Sequence, residues 1–358
     1  MRIKISRVTL YVLAPVIIGL SVVFWLFYDE FNIEMFSEVH FSKHLLIGIV
    51  FALVLIAGRD GGQMWRFRIL SDRQLTWLQT LRVNLLCEFT SAVTPAAVGG
   101  SSLVVLFLNR EGMAAGKGVA LMMACLLLDE LFLVLAYPLI LLIVPFNKLF
   151  PPSEAFTLGM QILFGVAYIG IVLWTIILFY ALFKKTYYIR KLLLKLFSFG
   201  FLKRWQGGVE QFTDNMIVSS KELSRRSFSF WLKAFAATCV SWISRYMVVV
   251  ALLIAFTSSG EYLVAFARQL ILWIFMLVTP TPGGSGVAEY MFNVYYADFF
   301  PVVGMSLVVA FVWRAITYYI YLVFGVLLFP NWLSDRRTLK EETFQEEAFD
   351  RKQEEKVC

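Results

Sequence analysis

Val93-Thr94-Pro95-Ala96-Ala97-Val98-Gly99-Gly100-Ser101-Ser102 and Val278-Thr279-Pro280-Thr281-Pro282-Gly283-Gly284-Ser285-Gly286 are two related segments in otherwise apolar sequence. Proline removes a backbone donor and glycine frees the chain to turn, so each segment should break a helix. Breakers at matching places in two halves of an apolar chain point to the substrate site of a transporter. The spacing supports a repeat: Pro95 lies 34 residues before Asp129, and Pro280 lies 34 before Arg314. Both charged residues fall inside long apolar stretches.

Around these segments the composition is that of a membrane protein. Hydrophobic residues make up 59% of the 358, mean hydropathy is +0.74, and only 16% are charged. Soluble domains carry roughly 25% charge. The runs are long and lack strict alternation, which fits helices rather than a barrel. The net charge of +7 therefore reports topology and an anionic membrane surface, not nucleic acid. The four cysteines and the pair His40 and His44 lack ligand-like spacing and partners, so no metal or other cofactor is expected. The N-terminus, Arg2, Lys4 and Arg7 before apolar Val8–Phe27, resembles a signal peptide. No small-residue cleavage motif follows, so a retained first helix is expected.

The expected fold is an all-α polytopic membrane protein of six full spans and two broken, re-entrant hairpins. The spans are Val8–Phe27, Leu45–Met64, Gly118–Val144, Leu158–Phe183, Trp231–Phe256 and Val302–Phe329. The hairpins are Val83–Leu108 and Tyr262–Tyr296. Lys and Arg set the orientation. The N-terminus has three, Arg59–Arg82 five, Arg110–Lys117 two, Lys184–Lys233 eleven and the tail six, against Lys43 and Lys148 opposite. Both termini are then cytoplasmic, and the hairpins enter from opposite sides as inverted repeats. Residues 1–333 form the membrane domain, with an amphipathic cytoplasmic connector at 184–230. Residues 334–358 form a charged cytoplasmic tail.

Charges at membrane depth are expensive and usually face the interior or a cavity. The candidates are Glu88, Asp129, Glu130, Arg245, Arg268, Glu289 and Arg314. Arg314, Thr317, Tyr318 and Tyr321 fall on one face of a regular helix, as do Thr238, Ser241 and Arg245. Such stripes line a polar path or simply pack helices together. At the hairpin tips, Pro95 and Pro282 end one half-helix. Gly99, Gly100 and Ser101, with Gly283, Gly284, Ser285 and Gly286, then offer free N–H groups at the next half-helix start. A helix N-terminus attracts anions, and Arg245, Arg268 or Arg314 would complete a phosphate site. The other reading of the glycines is close helix packing. The equal offsets place Asp129 and Arg314 near a shared axis, where they are expected to pair.

Pro280-Thr281-Pro282-Gly283-Gly284-Ser285-Gly286-Val287-Ala288-Glu289 resembles the Pro-x-Pro-Gly-Gly-x-Gly-x-x-Glu segment of the lysylphosphatidylglycerol synthase transmembrane-region family. Thr94-Pro95 through Gly99-Gly100 is similar to its first hairpin, and Arg314 matches an arginine of its last helix. The resemblance covers about residues 8–330. It implies movement of lipids with charged or glycosylated headgroups between leaflets, not lysyl transfer, which belongs to a separate soluble domain. The sequence carries no Walker A motif and no Ser/His/Asp set, so neither an ATP motor nor an enzyme is expected. The expected function is ATP-independent flipping of a phospholipid or polyprenyl-phosphate-linked lipid in a bacterial inner membrane. The headgroup would lie between the hairpin tips, in contact with Glu289 and Tyr318 among others. A lipid-modifying enzyme is a candidate partner. The alternatives are a headgroup transferase using Glu88, Asp129 or Glu289 as base, and a non-catalytic partner that presents lipid to a synthase.

Overall fold

A computed structural model describes residues 42–94, 99–150, 154–184, 191, 195, 217–257, 260–277, 279, 281 and 283–328. The first expected span, most of the connector, Pro95, Pro282 and the tail lie outside the described residues. Gly99, Gly100 and Ser101 are described only as helical backbone. Within the described residues the chain is helical, with no strand.

The helices run α1 (Lys43–Leu70), α2 (Trp77–Val93), α3 (Gly99–Arg110), α4 (Ala115–Ile143), the single turn α5 (Phe146–Leu149) and α6 (Glu154–Phe179). A π-turn at Tyr180–Lys184 closes α6. Then come α7 (Phe228–Phe256), α8 (Tyr262–Leu277), α9 (Val287–Tyr296) and α10 (Met305–Arg314). The last continues through a π-turn at Ala315–Tyr319 and on to Leu328. Among the described residues five helices are long and apolar enough to cross a membrane: Lys43–Leu70, Ala115–Ile143, Leu158–Lys184, Phe228–Phe256 and Met305–Leu328. They match five of the six expected spans. Each of the two expected hairpin segments holds two helices, α2 and α3 in the first and α8 and α9 in the second.

Local sequence explains the helix starts. Ser42 accepts the Leu45 N–H at 3.1 Å, and Ser227 accepts that of Phe230 at 3.3 Å. Thr76 and Gln79 form a reciprocal box, with the Thr76 N–H on Gln79 at 2.8 Å and the Gln79 N–H on Thr76 at 3.3 Å. The expected second span stops at Met64. The helix instead continues to Leu70, because its polar residues are used inside the protein. Arg59 and Arg66 are 3% and 1% exposed.

The closest helix pairing is α1 against α7, and small residues make it. A Cβ on Gly48 would stand 2.5 Å from Ala255 Cβ, and one on Gly62 would stand 2.7 Å from the Ser241 backbone nitrogen. Gly58 faces Ser244 in the same seam. Between membrane helices there is little hydrophobic drive, so close backbone approach supplies the packing. Ser241 of the Thr238–Arg245 stripe, with Ser244 beside it, therefore serves helix packing, the second of the two readings of that stripe.

The seam yields a paired expectation. Gly62→Ala forces backbone against backbone and should destabilise the protein by roughly 1–3 kcal/mol. Gly61→Ala, where nothing lies within 4 Å of the added carbon, should leave stability unchanged. Thermal unfolding of the two variants in the same detergent checks the contrast.

Candidate functional site

The α1–α7 seam brings charged side chains of α1 into an interior that also receives α2, α4, α8 and α10. Arg59 pairs with Glu88 of α2, and Arg66 pairs with Asp129 of α4. Arg66 also donates to Gln63 at 2.7 Å and to Thr238 at 3.3 Å. The Arg59 guanidinium lies 4.8 Å from the ring centre of Tyr321, whose hydroxyl donates to Asp60 at 2.7 Å. Thus α1 binds four other helices, α2, α4, α7 and the last one, through polar contacts inside an apolar bundle.

Arg245 of α7 enters the same group. It donates to Glu88 at 3.3 Å, so one carboxylate receives two guanidiniums. Its guanidinium lies 5.1 Å from the ring centres of both Trp242 and Trp273, a cation–π arrangement. Its side chain is 27% exposed, against 4% for Arg59. Trp242 in turn donates its indole N–H to Asp129 at 2.6 Å. The charges of α1, α2, α4 and α7 therefore form one connected group, open at Arg245.

The second hairpin tip forms a separate cluster. Gly283, Gly284 and Gly286 have φ of 57°, 70° and 85°, which side chains rarely adopt. A Cβ on Gly283 would also meet the Tyr318 ring at 2.2 Å. The expected anion at this helix start is the protein's own: the Gly286 N–H donates to Glu289 at 2.8 Å. The Gly284 N–H goes to the Thr281 carbonyl at 3.0 Å and that of Gly283 to the Thr94 carbonyl at 3.2 Å. Arg314 donates to Glu289 and to the Gly283 carbonyl, both at 3.0 Å, with its guanidinium 3.8 Å from the Tyr318 ring centre. Glu289 is fully buried. In this conformation the glycine N–H groups and Arg314 are occupied by the tip itself and by the end of α2.

The two hairpins meet here. Tyr318 donates to the Ala92 carbonyl at 3.0 Å, and Ser285 donates to Tyr318 at 3.2 Å. With the Gly283–Thr94 bond, the tip of α8 and α9 is tied to the end of α2.

Several sequence expectations need correction. Asp129 and Arg314 each have a different partner, Arg66 and Glu289, so the expected pairing does not form. The stripe on the last helix does not stay on one face, because the π-turn intervenes. Arg314 and Tyr318 serve the tip, Thr317 bonds back to the Trp313 carbonyl at 2.6 Å, and Tyr321 reaches Asp60 on α1. Arg268 lies outside both clusters. It donates to Asp298 and the Tyr295 carbonyl at 2.6 Å and to the Lys148 carbonyl at 2.8 Å, anchoring α8 to neighbouring connections. Sequence reasoning missed Arg59, Arg66, Trp242 and Trp273. The signal was available for α1: Arg59, Gly62 and Arg66 fall at i, i+3 and i+7, one helix face.

Comparison with known proteins follows the same lines. The family model described as "Lysylphosphatidylglycerol synthase TM region" matches residues 11–325. The chain is similar to a UPF0104 membrane protein of Archaeoglobus fulgidus, 26% identical over 275 residues, which cover 73% of this chain and 79% of that relative. No solved structure matches.

The shared carboxylate allows a direct measurement. Glu88→Ala removes the carboxylate that Arg59 and Arg245 share, leaving Arg59 only the more distant Asp60 at 3.8 Å, and should cost roughly 3–5 kcal/mol, the usual range for breaking a buried pair from one side. Combining it with Arg59→Met should cost clearly less than the sum of the single changes. A double-mutant cycle on unfolding in detergent checks this.

Proposed function

The chain belongs to the lysylphosphatidylglycerol synthase transmembrane-region family, and from that premise we propose that it moves a phosphate-bearing lipid between leaflets without ATP. The observation that carries the reading is Arg245. It is an arginine of a membrane-spanning helix, partly open, sandwiched by two tryptophans, and sharing its one carboxylate with Arg59. Among the described residues its other N–H donors are unused. A guanidinium with spare donors matches phosphate geometry. The tryptophans leave an apolar wall beside it, which suits a headgroup whose chains remain in the bilayer.

The hairpin contact supports the transport half of the reading. Two broken helices joined by a few hydrogen bonds between Ala92, Thr94, Gly283 and Tyr318 form a seam that can part. In our proposal the hairpins are re-entrant, related by inversion, and open the site to one leaflet at a time. The acids Glu88, Asp129 and Glu289 each hold an arginine. That arrangement supports ion-pair roles over a free catalytic base. Phospholipids and polyprenyl-phosphate-linked lipids share the phosphate and are the proposed substrates. The proposed setting is a bacterial inner membrane with both termini cytoplasmic.

Reconstitution into vesicles with labelled lipids tests this. Wild-type protein should expose inner-leaflet label to an impermeant quencher. Arg245→Lys keeps the charge but loses the planar fork, and should slow exchange about tenfold, equivalent to about 1.4 kcal/mol. Arg245→Ala should slow it further while remaining folded. Folded Arg245→Ala exchanging at the wild-type rate would move the headgroup site elsewhere. A chemically altered lipid would replace transport with catalysis.

A further inference from the structure

Glu130 is the sixteenth of the 29 residues of α4, in the middle of a membrane-spanning helix. Its neighbour Asp129 is paired with Arg66 and bonded to Trp242. Glu130 has no such support. Its Oε2 is buried without a hydrogen-bond partner, and among the described residues no cation pairs with it. Tyr246 of α7 is 1% exposed, and its hydroxyl is also buried without a partner. Two unsatisfied polar groups in one apolar region are unusual, because each forfeits the hydrogen bond it had in water.

Among the described residues no cation pairs with Glu130. Asp129 beside it acts on it electrostatically, and Glu130 acts in turn on Tyr137 of its own helix and on Tyr246 of α7. Tyr137 donates to the Leu270 carbonyl at 3.1 Å. Arg66 of α1 and Arg245 of α7 are engaged by Asp129 and Glu88. From α6, Tyr168 donates to the Val134 carbonyl at 3.2 Å. The one charged residue of α3, Arg110, ends that helix, which meets α4 at Gly118, three turns earlier. Tyr180 and Lys184 of the π-turn after α6 are exposed. An ionised carboxylate at this depth costs roughly 2.5–3.5 kcal/mol without a partner. The neutral acid avoids that cost and gains an O–H donor, for which a phenol hydroxyl is a suitable acceptor.

We propose that Glu130 is a proton-binding site that couples lipid movement to the transmembrane proton gradient. This rests on the transport reading above. The carboxylate takes one proton from the aqueous path on one side and returns it on the other, with no other bond made or broken. The link to the headgroup site is short. Glu130 adjoins Asp129, Asp129 accepts from Trp242, and the Trp242 ring faces Arg245.

Two measurements on the full-length protein test the proposal. Infrared difference spectra between acidic and alkaline buffer, in lipid nanodiscs, should show a protonated-carboxyl band that Glu130→Gln removes. Glu130→Asp, a shorter acid, should move the band, which identifies its origin if the glutamine variant does not fold. In vesicles with a clamped potential and a one-unit pH difference, labelled phospholipid should reach about a tenfold leaflet ratio for one proton per lipid. With Glu130→Gln the ratio should return to about one while exchange continues. A band unaffected by both substitutions overturns the proton site. A wild-type ratio of one during active exchange overturns the coupling. No exchange by wild-type protein at any pH overturns the transport reading and its coupling, and the infrared band then decides the proton site by itself.

Discussion

The backbone contact between α1 and α7 is the constraint on which the interior depends. Gly48, Gly58 and Gly62 let α1 lie directly against Ser241, Ser244 and Ala255. That closeness fixes the depth and rotation of α1, and therefore where Arg59 and Arg66 project. A bulkier seam would carry both arginines away from Glu88 and Asp129. In a membrane that displacement is severe, since a charge moved off its partner finds neither water nor another anion.

The ion pairs then specify arrangement more than they add stability. Arg59 joins α1 to α2, Arg66 joins α1 to α4, Arg245 joins α7 to α2, and Arg314 joins α10 to α9. Each pair must offset the desolvation of both members, so the net gain is small, while any alternative packing leaves charges stranded. The bundle therefore has one favourable way to assemble. The same logic separates the clusters. The tip cluster is closed, with Glu289 buried and Arg314 satisfied. In the Arg245 cluster Glu88 serves two guanidiniums, and the Arg245 side is partly open.

Much of the fold was legible because its signals are local. Apolar run length marked the spans, and proline with glycine marked the breaks between α2 and α3 and between α8 and α9. Partner choice was not legible in the same way. Asp129 and Arg314 share an offset from their breakers, yet each is satisfied by a nearer residue that sequence spacing did not weigh. Arg59 and Arg66 fall in the basic stretch that sets orientation, and nothing in its charge count marks them as interior. Burial decides their role, and burial follows from the glycine seam. Arg245 and Glu88 were both recognised as intramembrane charges, but the two tryptophans beside Arg245 come from different helices. No one-dimensional pattern records that meeting.

The π-turn at Ala315–Tyr319 stands between Arg314, which belongs to the hairpin tip, and Tyr321, which reaches Asp60 on α1. In a regular helix residues seven apart share a face. One surplus residue in the turn rotates everything beyond it by roughly 100°, given 3.6 residues per turn. The last helix thus holds one residue of slack between its two attachments. Drawing that slack out would swing Tyr321 away from Asp60 with the grip of Arg314 on the tip intact, as a swivel turns one end of a rod independently of the other.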